Sequence, residues 1–286
     1  MTSAAALGGR FVLGERLGAG AMGAVHVAQD LATGGRVAVK ILHPHLASDR
    51  ELVSRFEREA LAVAALGHPN IVRPLAFAYT EDHRPYLAME LLDGRSLGDV
   101  LRERSGEPLP EARVVGITLQ VLAALEAAHA AGIVHRDIKP DNLFLAQRPD
   151  GTDLVKVLDF GTAKLLSARE DMALTREGVL LGTLTYMPPE QARGEEVDAR
   201  ADLYALGACT YVALTGRKPF EAPNLPALLL AIQHRPPTPI TTLRPEVRPD
   251  VAAVIERALA KRRDDRFPSA RAMADALRAL GADVQR

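Results

Sequence analysis

Residues 134–142 read VHRDIKPDN. They place His135, Arg136, Asp137, Lys139, Asp141 and Asn142 between two apolar runs, LQVLAALEAAHAAGIV (119–134) and LFLA (143–146). A solvated loop could carry these charges, but loops rarely sit so tightly between apolar segments. The pattern points to a polar site held at the edge of a core. Within it, Asp137 could orient a hydroxyl and accept its proton. Lys139, two residues on, could neutralise charge on a transferring phosphoryl group. LFLA and LVKVL (154–158) flank PDG (149–151), a hairpin signal. With Asp150-Gly151 as a two-residue turn, Asn142 faces Asp159. An amide oxygen and a carboxylate meeting there would suit Mg²⁺, with phosphate and water completing the shell. Taken alone, the pair also reads as a turn-capping asparagine and a loop aspartate.

Two further groups could act on phosphate. Over 50–66, Leu52, Phe56, Glu59, Val63 and Leu66 recur at helical spacing, which sets Glu59 on the apolar stripe. A carboxylate facing a core costs several kcal/mol unless paired. Lys40, closing VAVK (37–40), is the cation placed to meet it; a snorkelling lysine with a half-exposed glutamate is the alternative. LGAGAMGAV (17–25) carries Gly18, Gly20 and Gly23 as GxGxxG, leaving backbone N–H groups free for a phosphate. AVHVAQ (24–29) follows as a strand where a dinucleotide fold needs a helix. A flap over phosphates, or a plain hairpin turn, remains.

These groups need a scaffold. Strands are expected at 11–17, 24–29, 36–41, 71–78 and 85–92, Pro74 requiring an edge position for its strand. One helix, 50–66, ends at Gly67 and Pro69. Helices follow at about 110–131, 200–215, 224–234, 250–261 and 268–280. The class is therefore α+β and bilobal. A loose tail (1–10) precedes a small antiparallel lobe (11–92) and a larger, mostly helical lobe (93–286), and the junction near 91–95 is a natural place for a cleft.

Composition narrows the classes. In 286 residues, 35 basic and 36 acidic side chains leave a formal charge of −1, no footprint for nucleic acid or a membrane surface. The single Cys209 excludes an intrachain disulfide and suits a reducing cytoplasm. The apolar stretch 114–134 carries Gln120, Glu126 and His129 and reads as a buried helix, His129 as part of its core face with Leu122 and Leu125.

GAGAMG, VAVK, HRDIKPDN, DFG (159–161) and PPE (188–190), in that order, resemble the protein-kinase family across residues 11–280. Lys139 within HRDIKPDN is the Ser/Thr-kinase form. AMG and TYMPPEQARG (185–194) are similar to bacterial Hanks-type Ser/Thr kinases. The resemblance implies transfer of the γ-phosphoryl of ATP to Ser/Thr hydroxyls of protein substrates, with Mg²⁺ or Mn²⁺, in the cytoplasm, and allows a homodimer through the small lobe. It implies that Lys40 holds the α- and β-phosphates, positioned by Glu59. Asp137 would be the catalytic base, Lys139 would meet the γ-phosphate, and Asn142 and Asp159 would hold the metal. Leu17, Gly18, Ala19, Gly20, Ala21 and Gly23 would cover the nucleotide. Val25, Ala38 and Phe144 would sandwich adenine, with Met89 as gatekeeper and a hinge from Glu90 to Leu92. Glu190 would pair with Arg266, and Asp202 would brace the catalytic loop. PPE departs from the usual APE, and Pro74 takes a position usually aliphatic; neither removes a catalytic group.

Arg136 would lack a partner until a phosphate arrives. Thr162, Ser167, Thr175, Thr183, Thr185 and Tyr186 lie in 162–187, with Thr175 the leading acceptor and Thr183 resembling the threonine that lines the substrate pocket. HPH (43–45) lacks a third metal ligand nearby and reads as a loop. A nucleotide-binding scaffold and a small-molecule kinase of related fold are the rival functions; intact Lys40, Asp137 and Asp159 oppose the first, and TYMPPE favours a protein substrate over the second.

Overall fold

The structure, a computed structural model, describes residues 6–20, 22–148, 150–160 and 184–282. The chain divides into two compact units, Met1–Asp93 and Gly94–Arg286.

In the first unit, β1 (Phe11–Ala19), β2 (Gly23–Asp30), β3 (Arg36–Leu42), β4 (Pro74–Tyr79) and β5 (Pro85–Glu90) form an antiparallel sheet in the order β1-β2-β3-β5-β4. Pro74 opens an edge strand, where its missing N–H costs no ladder bond. Alternation along β3 sorts the sheet into two faces. Val37, Val39 and Ile41 pack with Phe11, Ala28, Tyr86 and Ala88 on one. Residues 6–10 belong to this face and correct the expectation of a loose tail. Leu7 packs on the cluster, and Arg10 forks onto Asp30 at 2.8 and 2.7 Å. That guanidinium holds the Asp30 carboxyl well below the usual carboxylate range.

A four-residue helix, α1 (Pro44–Ala47), stands where HPH reads as a loop, and α2 (Arg50–Leu66) follows. Asp49 caps α2 by accepting from the N–H groups of Glu51 and Leu52. Gly67 ends it in the left-handed conformation at φ 56°. Phe56 meets Phe77 of β4 edge to face, with ring centroids 5.7 Å apart, so α2 lies on the other face of the sheet.

The second unit holds a small sheet, β6 (Gly94–Ser96), β7 (Leu143–Gln147) and β8 (Asp153–Val157), in that order. Its helices are α3 (Leu97–Glu103), α4 (Glu111–Ala130), α5 (Pro189–Ala192), α6 (Arg200–Thr215), α7 (Leu225–His234), α8 (Ile240–Leu243), α9 (Pro249–Ala258) and α10 (Ala270–Ala282). α4 is long and apolar enough to cross a membrane. Instead, Val114, Ile117, Val121, Leu122 and Leu125 are buried among its neighbours. Gln120 completes the unpaired edge of β8: its Nε2 donates to Asp153 O at 3.0 Å, and its Oε1 accepts from Val155 N at 3.0 Å. A side-chain amide thereby replaces a missing strand.

The β7–β8 hairpin corrects the expected register. Leu143 pairs with Val157 and Gln147 with Asp153, and Arg148 N donates to Thr152 O at 2.8 Å. The loop therefore has three residues, 149–151, and Asn142 lies opposite Leu158 rather than Asp159.

Arg266 locks the base of this unit. It is 1% exposed, and all five of its N–H donors are met. Two go to the Glu190 carboxylate at 2.7 Å each, and the others to the carbonyls of Ala260, Arg200 and Lys261. Arg266→Ala would strand Glu190, 1% exposed, without its cation. We expect a loss of about 3–5 kcal/mol, read by denaturant unfolding. Arg266→Lys should recover little of it, because an ammonium cannot reproduce the fork.

Candidate active site

In the second unit the polar loop hangs from one carboxylate. Asp202, in the first turn of α6, is 1% exposed and accepts three hydrogen bonds. His135 N and His129 Nε2 each reach its Oδ2 at 2.8 Å, and Arg136 N reaches its Oδ1 at 2.8 Å. A buried carboxylate needs such donors. Here they fix the loop backbone, including Arg136 at φ 67°, a conformation disfavoured for a side chain of that size.

His135 carries the order forward. Its Nε2 donates to Leu158 O at 2.8 Å, and its Nδ1 accepts from Asp137 N at 3.2 Å, which together select one neutral tautomer. Its ring packs on Phe160, with centroids 4.6 Å apart. One histidine thus ties the Asp137 loop to the segment carrying Asp159.

The chemistry-bearing groups follow. Lys139 Nζ donates to Asp137 Oδ2 at 2.7 Å, and Asn142 Nδ2 donates to Asp137 O at 2.7 Å and to Oδ2 at 2.9 Å. Among the described residues Asp137 Oδ1 makes no hydrogen bond, so one carboxylate oxygen is braced while the other is uncommitted. Those two donations turn Asn142 Oδ1 away from Asp137. Asp159, one residue past the bond from Leu158 N to Asn142 O (2.9 Å), adopts φ 54°, so the chain leaves the strand conformation there. Two hard oxygens at a hairpin mouth suit Mg²⁺, which takes few protein ligands and keeps phosphate and water for the rest. Among the described residues no cluster of three His, Cys, Asp or Glu gathers for an all-protein cage. Phe144, half-buried on β7, stands opposite Lys156.

In the first unit, strand register aligns the expected nucleotide residues. Val25, Lys40, Leu87 and Phe77 are directly paired across β2, β3, β5 and β4, and directly paired side chains share a face. Ala38 and Met89 form the next row of that face. Because Phe77 meets Phe56 of α2, the Lys40 row faces the helix, and Glu59 lies one turn beyond Phe56. Lys40 is 6% exposed, while Glu59 is half-buried. Glu90 is committed: its Oε1 accepts from Arg73 N at 2.8 Å and its N–H donates to Arg73 O at 3.0 Å. Leu92 lies in the connection beyond it.

The three glycines divide by function. A Cβ at Gly23 would fall 2.0 Å from Ile41 O, so strand packing demands that glycine. A Cβ at Gly18 or Gly20 would meet nothing within 4 Å. Only those two leave room for another molecule. Leu17 and Ala19 are exposed beside them, and Ala21 lies outside the described residues.

Sequence reasoning places His129 and His135 but misses their partners, Asp202 and Leu158 O. His129 reads as core because it follows Leu122 and Leu125 on one helix face. The available signal is that a buried imidazole needs a polar partner. Of the expected phosphate acceptors, Thr162, Ser167, Thr175 and Thr183 lie outside the described residues, as does Gly161. Thr185 is 1% exposed, and burial pushes the Tyr186 phenol well above its usual range.

Comparison with known proteins agrees with this geometry. The model of the protein kinase domain family matches residues 11–277. Serine/threonine-protein kinase Pkn1 of Myxococcus xanthus is 50% identical over 269 residues, covering 94% of this chain and 38% of that protein. PksC of Streptomyces coelicolor is 42% identical over 286 residues, covering 97% and 50%. The chain thus spans half or less of the length of these relatives. The crystal structure of the PknI kinase domain of Mycobacterium tuberculosis aligns with TM-score 0.73 and 29% identity, covering 99% of both chains. Rad53 1–466 in complex with AMP-PNP aligns with TM-score 0.76 and 27% identity, covering 93% of this chain and 64% of that one. The chain belongs to the protein kinase domain family.

Proposed function

We propose that this domain is an ATP-dependent protein serine/threonine kinase acting in the cytoplasm. The observation that carries the reading is the Asp137 carboxylate, braced on one oxygen by Lys139 and Asn142 and open on the other. Asp137 Oδ1 orients the acceptor hydroxyl and takes its proton as the oxygen attacks the γ-phosphorus; the bond from that phosphorus to the bridging oxygen breaks and ADP leaves. Lys139, bonded to Asp137 Oδ2, balances charge on the transferring phosphoryl group. Lys40, positioned by Glu59, holds the α- and β-phosphates. The backbone about Gly18 and Gly20 covers them, while Val25, Ala38 and Met89 pack on adenine beside the 90–92 hinge. Asn142 Oδ1 and Asp159 would hold Mg²⁺, which when bound would offset phosphate charge.

Regulation follows from Arg136. Among the described residues its guanidinium makes no ion pair. Phosphate on Thr175 supplies an anion of about −2 charge that this cation can hold.

Three outcomes are expected. With Mg·ATP, wild-type protein gains phosphate by mass and labels a generic basic protein, whereas Lys40→Met and Asp137→Asn lose both activities. Asp137→Asn retains ATP binding while its transfer rate falls about 10²–10⁴-fold. Transfer to metabolites but never to protein would instead identify a small-molecule kinase, and binding without transfer a scaffold. Thr175→Ala lowers both autophosphorylation and substrate labelling; full activity in that variant removes the regulatory role.

A further inference from the structure

The HPH run is a built feature of the first unit, and no role above uses it. The His43 backbone is fixed on both sides. Its N–H donates to Met22 O at 2.9 Å, and its carbonyl accepts from Leu46 N at 3.0 Å and Ala47 N at 3.1 Å as it starts α1. Its ring stacks on His45, with centroids 5.6 Å apart and planes 17° from parallel. From that held position Nε2 lies 2.9 Å from Gly20 O. A carbonyl only accepts, so the imidazole donates. Gly20, whose Cβ position is open, closes the hairpin with an N–H bond to Gly23 O at 2.9 Å. An unpacked glycine has wide conformational freedom, and a bond from a fixed side chain is what restricts it.

We propose that His43 is a positioning residue for the nucleotide: its Nε2–H latches the Gly20 carbonyl and holds the tip of the glycine loop ready for the triphosphate. A carbonyl dipole turned toward a phosphate repels it, and the latch removes that orientation. The loop then loses less freedom when ATP arrives, so affinity rises without any contact between His43 and the nucleotide. The ligand in this inference rests on the ATP reading above. The latch is a property of the first unit alone.

Three variants separate the donor from the bulk of the ring. His43→Gln keeps an N–H at the reach of Nε2, His43→Asn stops it short, and His43→Ala removes it. In Ala and Asn, KM for ATP should rise about three- to tenfold with kcat within about twofold, the size expected for one net hydrogen bond; Gln should stay near wild type. Amide exchange of a peptide covering residues 17–24, measured without nucleotide, should quicken in Ala and Asn but not in Gln. Unchanged KM in Ala, or Gln behaving as Ala, overturns the latch. Wild-type protein without ATP-dependent transfer would sink the kinase reading instead. The exchange measurement would then still decide, since equal rates in wild type and all three variants overturn the latch.

Discussion

The buried carboxylate of Asp202 is the constraint on which the site depends. Removing an acid from water costs several kcal/mol unless donors replace the hydration it loses. Those donors are a side chain on α4 and the first two N–H groups of the polar loop. Satisfying Asp202 therefore forces the loop into one shape. The same requirement holds Arg136 at a positive φ that its side chain disfavours, so local strain is offset by a buried hydrogen-bond set. From there His135 reaches Leu158 and Phe160, and the mouth of the β7–β8 hairpin is placed relative to Asp137. One acid organises both the backbone that carries Asp137 and the hairpin mouth that carries Asn142 and Asp159.

The first unit solves its positioning problem through register. Lys40 stands in a row with Val25, Leu87 and Phe77 because the antiparallel pairing leaves no other alignment. A slip of one residue would send the lysine to the face occupied by Val37, Val39 and Ile41. Gly23 protects that register, since no other residue fits against Ile41 O. The glycine motif thus serves two ends: one glycine admits a neighbouring strand, and two leave open space.

Much of this architecture is legible in the order of the amino acids. The bounds of α2 and α6 can be read correctly because each apolar run stops at a glycine, Gly67 and Gly216, that takes the left-handed conformation. Pro74 marks its own strand as an edge. The hairpin register is not legible, because PDG fits both two- and three-residue loops and the ladder, not the turn, decides. α3 escapes notice because it has only seven residues, although the capping box of Ser96 and Asp99 announces it. His129 misleads because periodicity reports which face a residue occupies and not what it bonds across that face. Residues 6–10 look loose because the stretch has no apolar run, whereas Leu7 and Arg10 suffice to fasten them.

The most direct measurement is the single-turnover rate of phosphoryl transfer in Asp202→Asn, with ATP affinity measured in parallel. An amide keeps the shape of the acid but presents an NH₂ to groups that must donate, so the loop loses part of its support. The account expects the transfer rate to fall about 10²-fold, the cost of misplacing a reacting group by about 1 Å, while ATP affinity stays within about twofold. A transfer rate equal to wild type would show that the Asp137 loop holds its shape without that carboxylate, and would contradict the account.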